Sequence, residues 1–313
     1  MVYQQLLEVP KIELHTHFEA AIPRAVAAKL SGHPENYFQV TNVAELQQGL
    51  TRSKAIVSSP ESFERYFNAL REYWNSQSIE IVEPIINPLE LSRFMNIPVE
   101  EVVELLNKES EREYSPQIGW LVQLDAGNGL RGAIETQKLI DSKLLKNVAG
   151  LALVDIQPGT SRMDYLEIIS AILRDHEVGI SIHAGEFSGP ESVWQALEII
   201  DRSGAEFARI AHGISAVHDA ELMNELHKSN ITLDLAISSN LATGAVENLS
   251  EHPLKQVAQS GVNFTINTDD LTLFNSDLTA EYALALELLG EGFGFTGDEL
   301  SENARRASFI VRL

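Results

Sequence analysis

Four short stretches of this chain gather side chains that bind metal ions and move protons: His15-Thr16-His17, Ser181-Ile182-His183-Ala184-Gly185-Glu186, Arg209-Ile210-Ala211-His212-Gly213 and Asn267-Thr268-Asp269-Asp270. Imidazole and carboxylate are the ligands a borderline divalent metal takes when thiolates are absent, and the chain has no cysteine. Three imidazoles and one carboxylate around zinc, with a position left for water, make a hydrolytic site. The missing cysteines exclude a disulfide framework, thiol catalysis and the nucleobase deaminases that hold zinc through a Cys-x-x-Cys pair. Each stretch also has a plainer reading. An H-x-H pair arises by chance, Glu186 would favour a helix N-terminus by its charge, and Asp269 with Asp270 would serve as a cap or as solvated charge.

The elements that hold these residues decide between the readings. Short β-branched runs alternate with longer segments of helical period, which predicts repeated βα units. Eight runs read as strands: Ile12–His17, Ile79–Ile86, Ile118–Leu124, Val148–Ile156, Gly179–His183, Ala208–Ala211, Ile231–Ile237 and Val262–Thr268. Eight strands with room for a helix after each predict a (β/α)8 barrel. The glycine-rich phosphate loop of an open doubly wound sheet is missing. In a barrel, active sites lie at the C-terminal ends of the strands, where His15, His17, His183, His212 and Asp269 fall. Residues two apart on a strand share a face, so His15 and His17 point inward while Ile12, Leu14 and Thr16 meet the helices.

Residues 18–78 must hold several helices. Pro60–Trp74 is one, with Ser59 as N-cap and Phe63, Tyr66, Phe67, Leu70, Tyr73 and Trp74 on one stripe that packs in the core or forms a lid. Thr296-Gly297-Asp298-Glu299 is a capping box opening a last helix through Arg305, Phe309 and Val311. No linker or repeat divides the chain, so residues 1–313 are expected to form one domain. His33, His176, His218, His227 and His252 fall in loops or helical segments and read as surface or structural residues.

The chain carries 45 acidic and 23 basic residues, a formal charge of −22. Nucleic-acid binding requires a basic footprint, so a small molecule is the expected partner. No apolar run approaches the roughly 18–20 residues of a membrane span. The opening MVYQQLLEVPKIELHTH has no signal-peptide pattern. A cytoplasmic location is expected.

The segments PKIELHTHFEAAIP, SIHAGEFSGPESVWQAL, ARIAHGI, ISSNLATGAV, HPLKQVAQSGVNFTINTDDLTLF and NARRASFI resemble, in this order, the blocks of the adenosine deaminase family. The resemblance implies one zinc per chain, held by His15, His17, His183 and Asp269. It implies that Glu186 protonates the ring nitrogen beside the amino-bearing carbon. His212 orients and deprotonates the attacking water with help from Asp269, and Asp270 hydrogen-bonds the purine's imidazole ring. Glu19-Ala20 stands where adenosine-specific members carry Asp-Gly, the acid that contacts the ribose 5′-hydroxyl. Asp155 stands where a glycine amide meets the purine, and the block around Ser238-Ser239-Asn240 lacks the usual Cys-Pro. The implied activity is hydrolytic deamination of a 6-aminopurine base or nucleoside, with adenosine expected to be a poor substrate. A barrel amidohydrolase acting on another ring amine, an amide or an ester shares the metal chemistry. A metal-bearing binding protein without activity is the alternative of another class, disfavoured by the complete His/Glu/Asp set.

Overall fold

The apolar runs form eight parallel strand positions in a computed structural model that describes residues 2–112, 116–154 and 161–312. They are β1 (Lys11–His17), β2 (Ile79–Ile86), β3 (Gln117–Ile118 and Trp120–Gln123, parted at Gly119), β4 (Val148–Leu153), β5 (Gly179–Ala184), β6 (Ala208–His212), β7 (Thr232–Leu235) and β8 (Asn263–Ile266). Each pairs in parallel with the next in chain order. A parallel bridge between Thr16 and Asp269 brings the end of the sheet back to its start. There the Asp269 amide donates to the His15 carbonyl at 2.9 Å, and the Leu14 amide donates to Asn267 Oδ1 at 3.0 Å. The result is the (β/α)8 barrel that the alternation predicts.

β1 is buried along its whole length, and its two faces differ as the period of two requires. Ile12 and Leu14 pack with Ile81 against Ala304 and Ala307 of an outer helix, Gly297–Ala307. Glu13, His15 and His17 take the other face. The break at Gly119 is steric, since a Cβ there would lie 2.5 Å from Ile310 Cγ1.

Several strand limits differ from the sequence expectation. The run Ile231–Ile237 is a strand only to Leu235. Ile237 opens the helix Ile237–Thr243, whose first amides, on Ile237 and Ser238, donate to Glu281 Oε2 at 2.9 and 3.2 Å. Val262–Thr268 is a strand only to Ile266: the Asn267 amide still donates to the Leu235 carbonyl at 2.9 Å, but the Thr268 amide turns to the Glu13 carboxylate at 3.2 Å. Val148–Ile156 ends at Leu153 as a strand, with Asp155 and Ile156 outside the described residues. β5 and β6 each run one residue further, to Ala184 and His212. The last helix is two: Gly297–Ala307 has the expected capping box on Thr296, and Ser308 turns extended before Phe309–Arg312.

Between β1 and β2 lie the helices Arg24–Ser31, Val43–Lys54 and Pro60–Ser76. Ser59 caps the last of these, accepting from the Ser62 amide. Its aromatic stripe is buried in the core, each such side chain contributing about 1.5–3 kcal/mol. Tyr66 also reaches the site, donating to the Phe18 carbonyl at 2.5 Å and accepting from the Ala21 amide at 3.1 Å. It thereby pins the turn that carries Glu19. Among the described residues no helix is long and apolar enough to cross a membrane.

Candidate active site

The strand ends bring together the residues that the sequence singles out. His15 Nε2 lies 3.1 Å from His183 Nε2 and 3.5 Å from Asp269 Oδ1, and His17 Nε2 lies 3.4 Å from the same oxygen. His15 Nδ1 sits 3.4 Å from the Asp234 carbonyl, an acceptor. The ring hydrogen is therefore on Nδ1, and Nε2 turns its lone pair toward the cluster. Burial, then the neighbouring His15 and His17 rings, hold the His183 imidazole well below its ordinary value, in the neutral form that ligation requires. At 3.1 Å one of the two Nε2 atoms must donate to the other unless a cation takes both lone pairs. Ligand atoms about 2 Å from a common ion in tetrahedral array stand roughly 3.3 Å apart. The donor set and its spacing fit a divalent metal.

Asp269 occupies left-handed backbone space at φ +57°. Burial works against its charge. The His15, His212 and His17 rings and the Ser239 hydroxyl, which donates to Oδ2 at 2.6 Å, outweigh it and hold the carboxyl below its usual range. His212 also has positive φ, +64°, and its Nε2 reaches Glu186 Oε2 at 3.4 Å and Asp269 Oδ2 at 4.0 Å. Burial and the His15 ring push His212 down to about 3. Burial, reinforced by the Asp269 charge, pushes the Glu186 carboxyl up to about 9, so it is protonated at neutral pH.

Glu186 is not a helix cap. The next helix, Pro190–Ser203, starts four residues on, with Gly189 at its N-cap. Gly185 sets the turn at φ +69°, where a Cβ would come within 2.6 Å of Val193 Cγ2. Asp270 stands at the N-cap of the short helix Leu271–Phe274 but makes no capping hydrogen bond. Burial and the charges on Asp269 and Glu19 hold its carboxyl well above the usual range, and its Oδ1 is buried without a partner among the described residues.

His17, His183, Glu186, His212, Asp269 and Asp270 line one cavity of about 500 Å³ together with Glu19, Lys54, Asn87, Asp125 and Arg162. A larger hollow of about 650 Å³ between Trp194 and Arg312 contains no histidine, so the chemistry belongs to the first. Glu19 is buried, and its Oε1 lies 3.4 Å from Lys54 Nζ, which also holds Glu90 at 2.8 Å. Asp155, the other residue expected to meet the substrate, lies outside the described residues.

Sequence reasoning missed Ser239, Lys54, Asn240 and His252. Asn240 Nδ2 lies 3.3 Å from His212 Nδ1, and its Oδ1 lies 3.2 Å from His252 Nε2. Ser239, Asn240 and His252 stand in quoted blocks, which is the one signal that could have marked them.

A family model for adenosine deaminase matches residues 10–312. The aminodeoxyfutalosine deaminase of Streptomyces avermitilis is 30% identical over 96% of this chain and 87% of its own length. Among solved structures, the Arabidopsis N6-mAMP deaminase superposes with a TM-score of 0.80 at 20% identity, covering 98% of this chain and 95% of that one. An amidohydrolase from Burkholderia ambifaria, solved with bound zinc, gives 0.79 at 19% identity, covering 98% and 87%. With a match along nearly its whole length and the ligand cluster where barrel enzymes keep theirs, the chain belongs to the adenosine deaminase family.

Proposed function

We propose that this chain is a zinc-dependent aminohydrolase that removes the exocyclic amine of a 6-aminopurine base or nucleoside, releasing ammonia. Membership of the family makes it a hydrolase of carbon–nitrogen bonds in purine-type substrates. The observation that carries the finer reading is the placement of a largely buried carboxyl beside a cluster of metal-binding donors. Glu186 stands 3.4 Å from His212, across from His15, His17, His183 and Asp269.

His15, His17, His183 and Asp269 would hold the ion. When bound, zinc lowers the pKa of water toward about 7. The remaining steps belong to the side chains. Glu186 donates its proton to the ring nitrogen beside the amino-bearing carbon, which removes the aromatic resistance to attack. Asp269 and His212 flank the water and orient it, and its proton leaves toward this pair. Asp270, buried in the cavity lining with Oδ1 unpartnered among the described residues, hydrogen-bonds the imidazole portion of the purine. Glu19 faces the part of the substrate beyond the purine ring.

The test is metal content together with ammonia release from adenine and adenosine derivatives, measured on wild type and Glu186→Gln. The substitution keeps size and hydrogen bonding but removes the transferable proton. Turnover should fall about 10²–10⁴-fold with metal content and melting temperature nearly unchanged. A wild-type rate with a lowered melting temperature would defeat the assignment.

A further inference from the structure

His212 has two faces. Nε2 looks toward Glu186 and Asp269, and Nδ1 looks toward the first turns of the helix Ile237–Thr243, where Asn240 sits. Asn240 and His252 are both buried, so every polar atom between them must find a partner inside the protein.

The direction of these bonds follows from one end. The backbone N–H of Leu254 can only donate, and it lies 3.3 Å from His252 Nδ1. Nδ1 of His252 is therefore the acceptor nitrogen. Burial pushes this ring down to about 4, so it is neutral and its single ring hydrogen is on Nε2. That N–H donates to Asn240 Oδ1 at 3.2 Å. Turning the amide over would set its NH₂ against the His252 N–H, two donors face to face. The amide NH₂ accordingly points at His212 Nδ1, 3.3 Å away, and that nitrogen must accept.

We infer that Asn240 and His252 form a hydrogen-bond relay that fixes the neutral His212 ring as its Nε2–H tautomer. His212 therefore donates a hydrogen bond to the attacking water instead of removing its proton. This rests on the deaminase reading and sharpens it. The water O–H bond breaks toward Asp269, while Glu186 supplies the proton for the ring nitrogen. Asp269 then returns its proton to the departing amine, which leaves as ammonia with the electrons of the carbon–nitrogen bond. Glu186 recovers its proton from the new hydroxyl as the carbonyl forms. Atoms and charges balance without His212 changing its protonation. Asn240 and His252 are positioning residues, since neither touches the reacting atoms.

The test reads the tautomer directly. Long-range ¹H–¹⁵N correlation spectra of ¹⁵N-histidine-labelled protein separate Nδ1–H from Nε2–H rings, and a His212→Gln spectrum identifies the signal. Wild type should show His212 as Nε2–H, with and without added zinc. Asn240→Asp replaces the donor with an acceptor and should switch the ring to Nδ1–H. A wrong histidine tautomer costs a serine protease about 10⁴-fold in kcat. Here kcat should fall by at least tenfold with KM and zinc content close to wild type. His252→Gln keeps a donor toward Asn240 and should retain the tautomer and most activity, whereas His252→Leu should lose both. A wild-type His212 carrying its hydrogen on Nδ1 would overturn the inference. So would loss of activity in Asn240→Asp without a change of tautomer. If Asn240→Asp does not fold, the wild-type spectrum and the His252 pair decide. The spectra do not depend on any substrate, so failure of the relay is distinguishable from failure of the deaminase reading.

Discussion

Two layers of the barrel interior are both largely buried and both rich in ionisable side chains, yet they are wired in opposite ways. The lower layer centres on Arg209, three residues before His212 on β6. Its Nε meets Asp234 at 2.8 Å, its Nη1 meets Glu83 at 2.8 Å, and Nη1 and Nη2 donate to the Ala307 and Leu14 carbonyls at 2.9 and 3.1 Å. The Phe309 ring covers the guanidinium at 3.9 Å. Each acid there has further donors: Thr265 for Asp234, Ser308 and the Ile310 amide for Glu83, Thr268 for Glu13. In the upper layer the imidazoles of His15 and His183 turn ring nitrogens toward one another, and Asp270 Oδ1 is buried without a partner among the described residues. A network in which every acid has a cation or a donor, Glu83 Oε2 through its ion pair with Arg209 alone, specifies the fold and asks for no ligand. An open one, held in place by the same strands, is where binding energy remains to be gained.

Breaking each layer should therefore give different losses. The largest effect belongs to the upper one. His17→Ala should lose most of its metal and nearly all turnover while keeping the melting temperature of chelated wild type. Added zinc should raise the melting temperature of wild type, since a ligand bound only by the folded state stabilises it, and should leave the variant unmoved. Full metal content and turnover in His17→Ala would remove the ligand assignment. In the lower layer, Arg209→Met leaves Glu83 and Asp234 buried without their cation. Removing one partner of a buried pair costs about 3–5 kcal/mol, read by denaturant titration. Metal affinity per folded molecule should change little. If Arg209→Met unfolded at the wild-type midpoint but lost metal, the two layers would not be separable.

The upper layer was the more legible of the two in the sequence. His15, His17, His183, His212 and Asp269 each stand where an apolar run stops, and a parallel barrel sends every strand end to the same face. Strand periodicity carries that information within a few residues. It carries nothing about Asn240 and His252, whose contacts with His212 and with each other join residues 28 and 12 positions apart. Lys54 is invisible for the same reason, since it reaches Glu19 from the far end of a helix. The overrun at Ile237 is a different failure. An apolar residue continues the strand pattern, and only the Glu281 carboxylate, 44 residues on, turns those amides into a helix start. The aromatic stripe of Pro60–Ser76 was read as core or lid. It is core, with Tyr66 holding the turn beside Glu19.

That turn sets the smallest and most informative effect, the choice among purines. Glu19 is one methylene longer than the aspartate of adenosine-specific relatives, and Ala20 beside it is fully buried, so the added methyl group fills space under the turn. The extra length brings Oε1 within 3.4 Å of Lys54, whose ammonium is shared with Glu90 at 2.8 Å. A carboxylate already facing a buried cation is a weaker and displaced acceptor for a ribose 5′-hydroxyl. A hydrogen bond to a charged group is worth about 1.5–3 kcal/mol, so its loss costs roughly tenfold to over a hundredfold in kcat/KM. Adenosine should accordingly be turned over less well than adenine or than 5′-modified or base-modified adenosines. The comparison is kcat/KM across adenosine, 2′-deoxyadenosine, adenine, 5′-substituted adenosines and N6-methylated analogues. Glu19→Asp shortens the side chain away from Lys54 and should move the ratio toward adenosine without changing metal content. Adenosine winning the wild-type comparison by a wide margin would sink the idea, because Glu19 would then be serving the 5′-hydroxyl despite its ion pair.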